Sequence, residues 1–472
     1  MVELSQVESK LYSPFTGLNH AVDGLDANPL TFLKLENVIT NLRLGRGVKR
    51  GGTSHWATTG NVWGIGAYAK ETASSKLPIY DVLVRHRRDG STSYIETLNW
   101  STDTWGALTQ GALISGNLGI GDIASFAQPS DLLCICAGMP AKLVSDTGNV
   151  NRLGGDAPTT AITLSSSGTG LTGTFGYVYT WYDSTTGWES SPSPAAERTI
   201  TNDQMDLSGI PINGATVSRE GIDKKRIYRT IYTGEPPYKF LAEIDIATTT
   251  YTDTTVDDDL GEIAPEAGDH DPPPNPAYLV ASHESRLWIA SGKQLYYSLP
   301  YDGSNYNLEY FSDERVFNFP ARITGLAPTR NSGLQVFCPL GFNIFEIEGR
   351  SEDEFSIRTS WPALGTQYHT SVCVHDDYIA FWGALGPTVI SPDGQVREFG
   401  IGIENLLRDA LHAEYNTSAF AWTVWSDDKK QFIFGFSATD SSGAGWVETD
   451  TGIVVPWIVA DTGATVDWVE NP

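Results

Sequence analysis

The sequence predicts an all-β protein, a β-propeller interrupted by an inserted β-sandwich, and three observations carry that prediction. Most apolar segments are four to eight residues long, rich in Val, Ile, Tyr, Phe and Trp, and bounded by Gly, Asp, Asn or Ser, the pattern of short strands. Paired strands recur roughly every 40 residues, about the length of a four-stranded propeller blade. One stretch, 156–271, breaks that rhythm with a Thr- and Ser-rich composition and a proline-rich end. At 472 residues the chain exceeds the size at which a single core keeps growing, so repeated or multiple modules are required. Its 47 Gly and 25 Pro favour many turns over long helices.

The expected organisation is therefore a first part of the propeller at 1–155, a sandwich at 156–271 and the remaining blades at 272–472. In the first part, 80–84, 94–98 and 132–136 read as strands. Within the second, 176–182, 226–230 and 239–244 alternate apolar and polar residues as the strands of a two-sheet sandwich do. It closes on Asp271-Pro272-Pro273-Pro274-Asn275-Pro276, a stiff, extended linker. Beyond the linker, 286–290, 295–298, 334–338, 342–347, 378–382, 420–425 and 431–436 read as strands. The segments 284–298 and 333–347 look like copies, each a pair of strands about a glycine turn. A third copy is expected at 377–390 and a fourth at 422–436, turning on Asp427-Asp428-Lys429-Lys430. A stack of sandwiches is the structural alternative. Only 403–412 has apolar residues at helical spacing.

The formal charge of −26 is unevenly spread. Residues 1–155 carry 13 acidic and 13 basic side chains, 156–275 carry 19 and 7, and 276–472 carry 25 and 11. Such acidity excludes a grip on nucleic acid through its phosphates, which needs clustered Lys and Arg, but not a surface past which nucleic acid slides. The basic residues that stand out are Arg43, Arg46, Lys49 and Arg50, then Arg85, Arg87 and Arg88. They could meet an acidic partner or sit as solvated turns.

Conventional chemistry is hard to assemble from this chain. The four cysteines lack zinc spacing, and Cys134 and Cys136, two apart in a strand, share a face and cannot easily pair with each other. Metalloprotease, nucleophile-elbow and phosphate-loop motifs are absent. His375, followed by Asp376 and Asp377, is the best single acid/base candidate, and reads as a turn before a strand. The acidic runs 253–259 and 352–354 contain carboxylates that could serve a glycosidase, yet 257–259 lacks the alternation and terminal Glu of a calcium loop. The expectation is a protein that is not an enzyme and holds no cofactor or metal. The polar start, Met1 to Gln6, lacks the regions of a secretory signal, and no run reaches the roughly 18–20 apolar residues of a membrane span.

Several segments resemble, in order, a family of phage proteins. Tyr177-Val178-Tyr179 followed by Gly187-Trp188-Glu189-Ser190-Ser191-Pro192-Ser193 is similar to a pattern in the fibronectin-like insert of bacteriophage tail nozzle proteins. Ile227-Tyr228-Arg229-Thr230, Thr250-Tyr251-Thr252-Asp253-Thr254 and Leu260-Gly261-Glu262 follow. After the prolines, 286–290 and 295–298 resemble the family's next blade, and 35–38 with 43–51 its opening strand. The last hundred residues or so match only in blade rhythm, and no gate loop is recognisable.

The resemblance implies a fibronectin-III-like sandwich inserted in the propeller and a virion protein of the tail, made in the host cytoplasm. It further implies a homo-oligomer, a hexameric ring docked below an adaptor protein, contacting tail fibres or tailspikes, with genome DNA passing through the lumen. The basic cluster would face the adaptor. A glycan-binding propeller module on a phage or cell surface is the alternative reading, and a glycosidase-like propeller a third.

Overall fold

The computed structural model describes 17–18, 31–32, 38–41, 46–49, 61–69, 81–89, 92–99, 102, 104–111, 124–143, 149–212, 219–330, 333–384, 386–398, 420–426, 431–440, 443–450 and 459–461. Among these residues every regular element is a strand or a short 3-10 turn. The helix expected at 403–412 lies outside the described residues. The chain forms two compact units, Thr58–Pro320 and Met1–Ala57 with Ala321–Pro472. In the opening segment, β1 (Gly17–Leu18) pairs parallel with β2 (Thr31–Phe32), and β3 (Val38–Asn41) pairs antiparallel with β4 (Arg46–Lys49).

The Thr58–Pro320 unit contains three four-stranded antiparallel sheets. The first is β5 (Asn61–Ala69), β6 (Asp81–Asp89), β7 (Thr92–Asn99) and β8 (Thr104–Ala107). The second is β9 (Ser125–Ala127), β10 (Leu133–Ala137), β11 (Met139–Leu143) and β12 (Asn151–Arg152). In each sheet, strands adjacent in sequence are adjacent in space, the order of a propeller blade. Strand β10 shows how they stack. Leu133, Ile135 and Ala137 pack with Tyr68, Val84 and Ile95 on one side. Cys134 and Cys136 pack with Leu287, Ile289 and Phe311 on the other. A strand buried on both faces has no polar alternate positions, which explains its unbroken apolar sequence.

The next five strands interrupt this series. They are β13 (Thr163–Tyr182), β14 (Ala196–Ser208), β15 (Lys224–Arg229), β16 (Lys239–Asp245) and β17 (Tyr251–Asp253), ordered β16-β15-β13-β14-β17. A two-sheet sandwich is expected at this place. The structure joins its halves into one sheet, because the long β13 and β14 cross a register shift between Ser167 and Leu171. Before the shift β14 pairs with β17, and after it β13 pairs with β15. Both halves contribute to one core, with Met205 and Leu207 meeting Phe175, Tyr177, Tyr179, Trp181 and Ile227. A bulge bends a strand locally, which lets the two halves of one sheet face a common core.

The third four-stranded sheet follows: β18 (Leu279–His283), β19 (Arg286–Ser291), β20 (Gln294–Tyr297) and β21 (Val316–Asn318). The other unit continues the pattern. Its sheets are β22 (Gly325–Pro328) to β25 (Ser356–Trp361) through β23 (Leu334–Phe337) and β24 (Ile344–Glu348), and β26 (Cys373–His375) to β29 (Val396–Glu398) through β27 (Tyr378–Gly383) and β28 (Gly386–Ile390). The last is β30 (Phe420–Ser426), β31 (Gln431–Asp440), β32 (Gly443–Asp450) and β33 (Val459–Asp461). Phe337, Phe381, Ile379 and Ile390 fill the space between two of these sheets.

The repeat is thus longer than the roughly 40 residues expected from blade length. First strands begin at Leu279, Gly325, Cys373 and Phe420, intervals of 46, 48 and 47 residues. The first three sequence copies are the second and third strands of their sheets, and Gly292 and Gly341 sit at positive φ in the connections of the first two. The fourth copy is offset: 422–436 falls on β30 and β31, the first and second strands. Paired apolar strands look alike wherever they lie in a meander, so local pattern does not fix their place.

Candidate functional site

The residues that carry the family resemblance converge in space, in and around the segment 187–193. This segment leaves the end of β13 and runs back beside it: Ser190 N–H donates to Trp181 O and Ser193 N–H to Tyr179 O. Its hydroxyls reinforce the pairing, since Trp181 N–H donates to Ser190 Oγ at 2.9 Å and Tyr179 N–H to Ser193 Oγ at 3.1 Å. Ser191 Oγ donates to Asp271 Oδ1 and accepts from His270 N–H. Strap and proline linker are thereby tied together.

Glu189 is the polar centre of the strap. Its Oε1 accepts from Thr180 Oγ1 at 2.6 Å and Tyr228 OH at 2.5 Å, and its Oε2 meets Arg226 at 3.1 Å. Burial pushes its carboxyl above the ordinary carboxylate range, and these donors pull against that shift. A second cluster lies along β15. Arg229, fully buried, donates to Asp253 Oδ2 at 2.8 Å, Thr255 O at 2.9 Å and Asp257 Oδ1 at 2.7 Å, while Tyr177 OH donates to the same Asp253 oxygen. Asp257, from the acidic run, is thus partnered by an arginine, and among the described residues no group of three or more His, Cys, Asp or Glu is arranged to hold a metal ion.

A third cluster joins the insert to the four-stranded sheets of its own unit. Glu309, in the 3-10 turn Asn305–Glu309, meets Lys142 of β11 at 2.5 Å and Arg219 at 2.9 Å. Arg219 also reaches Asp183 at 2.8 Å and lies 4.6 Å above the Trp188 ring. Two cations and two carboxylates balance in a buried site, which is what makes their desolvation tolerable. Burial would raise the Glu309 carboxyl, but Lys142 and Arg219 outweigh it and hold the group down at about 2. Burial pulls the Lys142 ammonium below its ordinary value. Gly154 N–H donates to Glu309 Oε2, and Gly154 itself sits at φ +70° with Pro273 so close that a Cβ would come within 2.8 Å of it. Tyr310 completes the junction. Its OH accepts from Glu189 N–H at 2.7 Å, and its ring stacks on His270 at 3.8 Å.

Of the basic residues singled out in the sequence, Arg85 and Arg87 are the two whose side chains are described. Arg85 is 4% exposed and bonds Glu96 at 2.6 Å, and Arg87 bonds the other oxygen of Glu96 at 2.9 Å while lying over Tyr94. Arg46 and Lys49 are on β4, and Arg43 and Arg50 lie outside the described residues, as does the side chain of Arg88. His375 ends β26, and Asp376 and Asp377, both at positive φ, make the two-residue turn into β27. Its ring stacks on Trp425 at 3.9 Å. Cys134 and Cys136 face the same side, as the sequence indicates, with their thiols in a 3.9 Å hydrogen-bond contact and not joined as a disulfide. What sequence reasoning missed is Lys142, Arg219 and Glu309. They are far apart in the chain and carry no local pattern.

No protein-family profile matches the chain, and no curated protein matches it. Among solved structures, the chain aligns with an extracellular domain assigned to a hybrid two-component system of B. thetaiotaomicron at 11% identity and a TM-score of 0.26. That alignment covers 92% of this chain and 65% of the other, so the chain spans just under two thirds of it. A second alignment, with the Dos1 propeller, has 12% identity and a TM-score of 0.17 over 64% of this chain and 71% of that one. Similarity at this level carries no argument about function. Among the described residues, no helix is long and apolar enough to cross a membrane.

Proposed function

We propose that this chain is a structural subunit of a bacteriophage tail nozzle, a ring docked below the adaptor that conducts genome DNA during ejection. One observation carries the reading: the segments that resemble the nozzle family's insert are the residues that pack, cap and seat this insert. Trp188, Glu189, Ser190, Ser191 and Ser193 each make a buried contact within the insert or to its flanking linker. Arg229 and Asp253, from two further matching segments, meet each other. A module held by so many directional contacts suits a platform that fixes the geometry of neighbouring copies.

The charge distribution supports the same role. The segment 276–472 carries 25 acidic and 11 basic side chains, and such a wall repels phosphate and lets DNA pass without sticking. Arg46 and Lys49 on β4 remain candidates for the adaptor-facing surface, whereas Arg85 and Arg87 already face Glu96. The test is imaging of virions and of the purified chain with its adaptor. A ring below the adaptor, hexameric in mass photometry, is the expected result. A chain absent from particles and monomeric with adaptor present would overturn the reading in favour of a surface glycan-binding module.

A further inference from the structure

A cleft of about 320 Å³ opens between the β22–β25 and β26–β29 sheets, and nothing in the proposed ring requires it. Its volume falls at the lower end of the range for small-molecule sites. From the first sheet it takes Glu346, Arg358, Ser360 and Trp361; from the second, Asp377 and the turn that holds Asp393. Glu346 is 3% exposed, and accepts from the Arg358 guanidinium and from Ser360 Oγ at 3.1 Å. Trp361 is half-buried, with its indole N–H directed at Gly394 O at 3.5 Å, so the ring spans from one sheet to the turn of the other. Asp393 is exposed and accepts from Ser391 Oγ, a hydrogen bond that holds its carboxyl below the ordinary range.

We infer that this cleft binds a neutral, hydroxyl-rich saccharide. Sugar hydroxyls are donors that need acceptors, and the lining offers three carboxylates, of which Asp377 also takes the Arg330 N–H at 2.7 Å, together with Ser and Thr hydroxyls. The C–H face of a pyranose needs a flat apolar partner, which the indole of Trp361 supplies. Three carboxylates against a single guanidinium leave the lining with excess negative charge, which disfavours phosphate, sulfate and uronate groups. The Glu346–Arg358 pair orders the floor before any ligand arrives, and preorganised acceptors reduce the entropy lost on binding.

Saturation-transfer-difference NMR on the full chain tests the inference, with cellobiose, maltose and N,N′-diacetylchitobiose as neutral probes and a sulfated heparin disaccharide as the acidic comparator. Saturation of at least one neutral probe is expected, with none of the sulfated one. Asp393→Asn removes an acceptor charge at an exposed position, so it leaves the thermal midpoint in place while weakening the neutral probe about ten-fold. Glu346→Gln weakens it at least as much. Silence from all three neutral probes, preference for the sulfated disaccharide, or full binding retained by both variants would each overturn the assignment.

Discussion

Strand β10 and the end of β13 are both buried on two faces, yet different forces bury them. Around β10 the neighbours are aliphatic and aromatic side chains, Tyr68, Val84, Leu287, Ile289 and Phe311 among them. Around the end of β13 they include Glu189, Arg226, Arg229 and Asp253, joined by hydrogen bonds to Thr180, Tyr177 and Tyr228. Apolar burial is non-directional and scales with area, so stacked sheets tolerate sliding and repacking. Buried ions are tolerated only when their partners are complete and correctly placed. The sheets are therefore built to stack, whereas the insert is built to sit in one orientation.

The comparison breaks most sharply at Asp253. Asp253→Ala leaves the Arg229 charge and the Tyr177 hydroxyl short of a buried partner, and costs roughly 3–5 kcal/mol in urea unfolding. The triple replacement Tyr177→Phe, Arg229→Met, Asp253→Leu removes the three fully buried polar groups, leaves only the part-exposed Asp257 and the Thr255 backbone short of a partner, and recovers part of that loss. A single-variant cost below about 1 kcal/mol would remove the distinction between the two regions.

The next effect is a pH dependence confined to the insert's seat. The Glu309 carboxyl is held at about 2 against an ordinary 4.5. The unfolded chain therefore takes up this proton first as pH falls. The stabilisation is complete above about 4.5 and is lost as pH drops toward 2. Glu309→Gln, which removes the carboxylate facing Lys142 and leaves Arg219 with Asp183 alone, lowers the unfolding midpoint already at neutral pH and flattens this acid slope.

His270 gives a smaller change in a milder window. Burial against Tyr310 depresses its imidazole below the ordinary 6.5, opposed by the hydrogen bond to Glu189 O. The unfolded state again protonates first, so stability present above 6.5 declines as pH falls below it. His270→Phe keeps the stacking and removes the titration. Thermal midpoints that still fall with the wild-type slope in this variant would exclude His270 as the source.

How much of this was legible in the sequence follows the same division. Strands could be read because the information is local: alternation and β-branched runs mark 94–98 or 334–338 without reference to any partner. The shared face of Cys134 and Cys136 is equally local, a consequence of period two. The seat was opaque. Glu309 follows Lys142 by 167 residues and Arg219 by 90, and an isolated Glu in sequence looks like any solvated charge. The strap was visible only through resemblance, which marks residues without saying what they touch. The offset of 422–436 within its sheet shows the converse limit, because hairpins in a meander are locally interchangeable.

The smallest predicted effect tests the apolar side of the comparison. Ile135 in β10 is fully buried among Tyr68, Val84 and Leu143, with no acidic or basic side chain in its cluster. Ile135→Val removes one methylene from that contact, and such truncations cost about 0.5–1.5 kcal/mol. Because nothing ionisable gains or loses a partner, the loss should be the same in neutral and in mildly acidic buffer, unlike those at Glu309 and His270. Urea unfolding at both pH values measures it. A loss that grows on acidification would mean that the sheet stack and the insert's seat unfold as one coupled structure, and that the directional contacts of the insert also hold the blades in place.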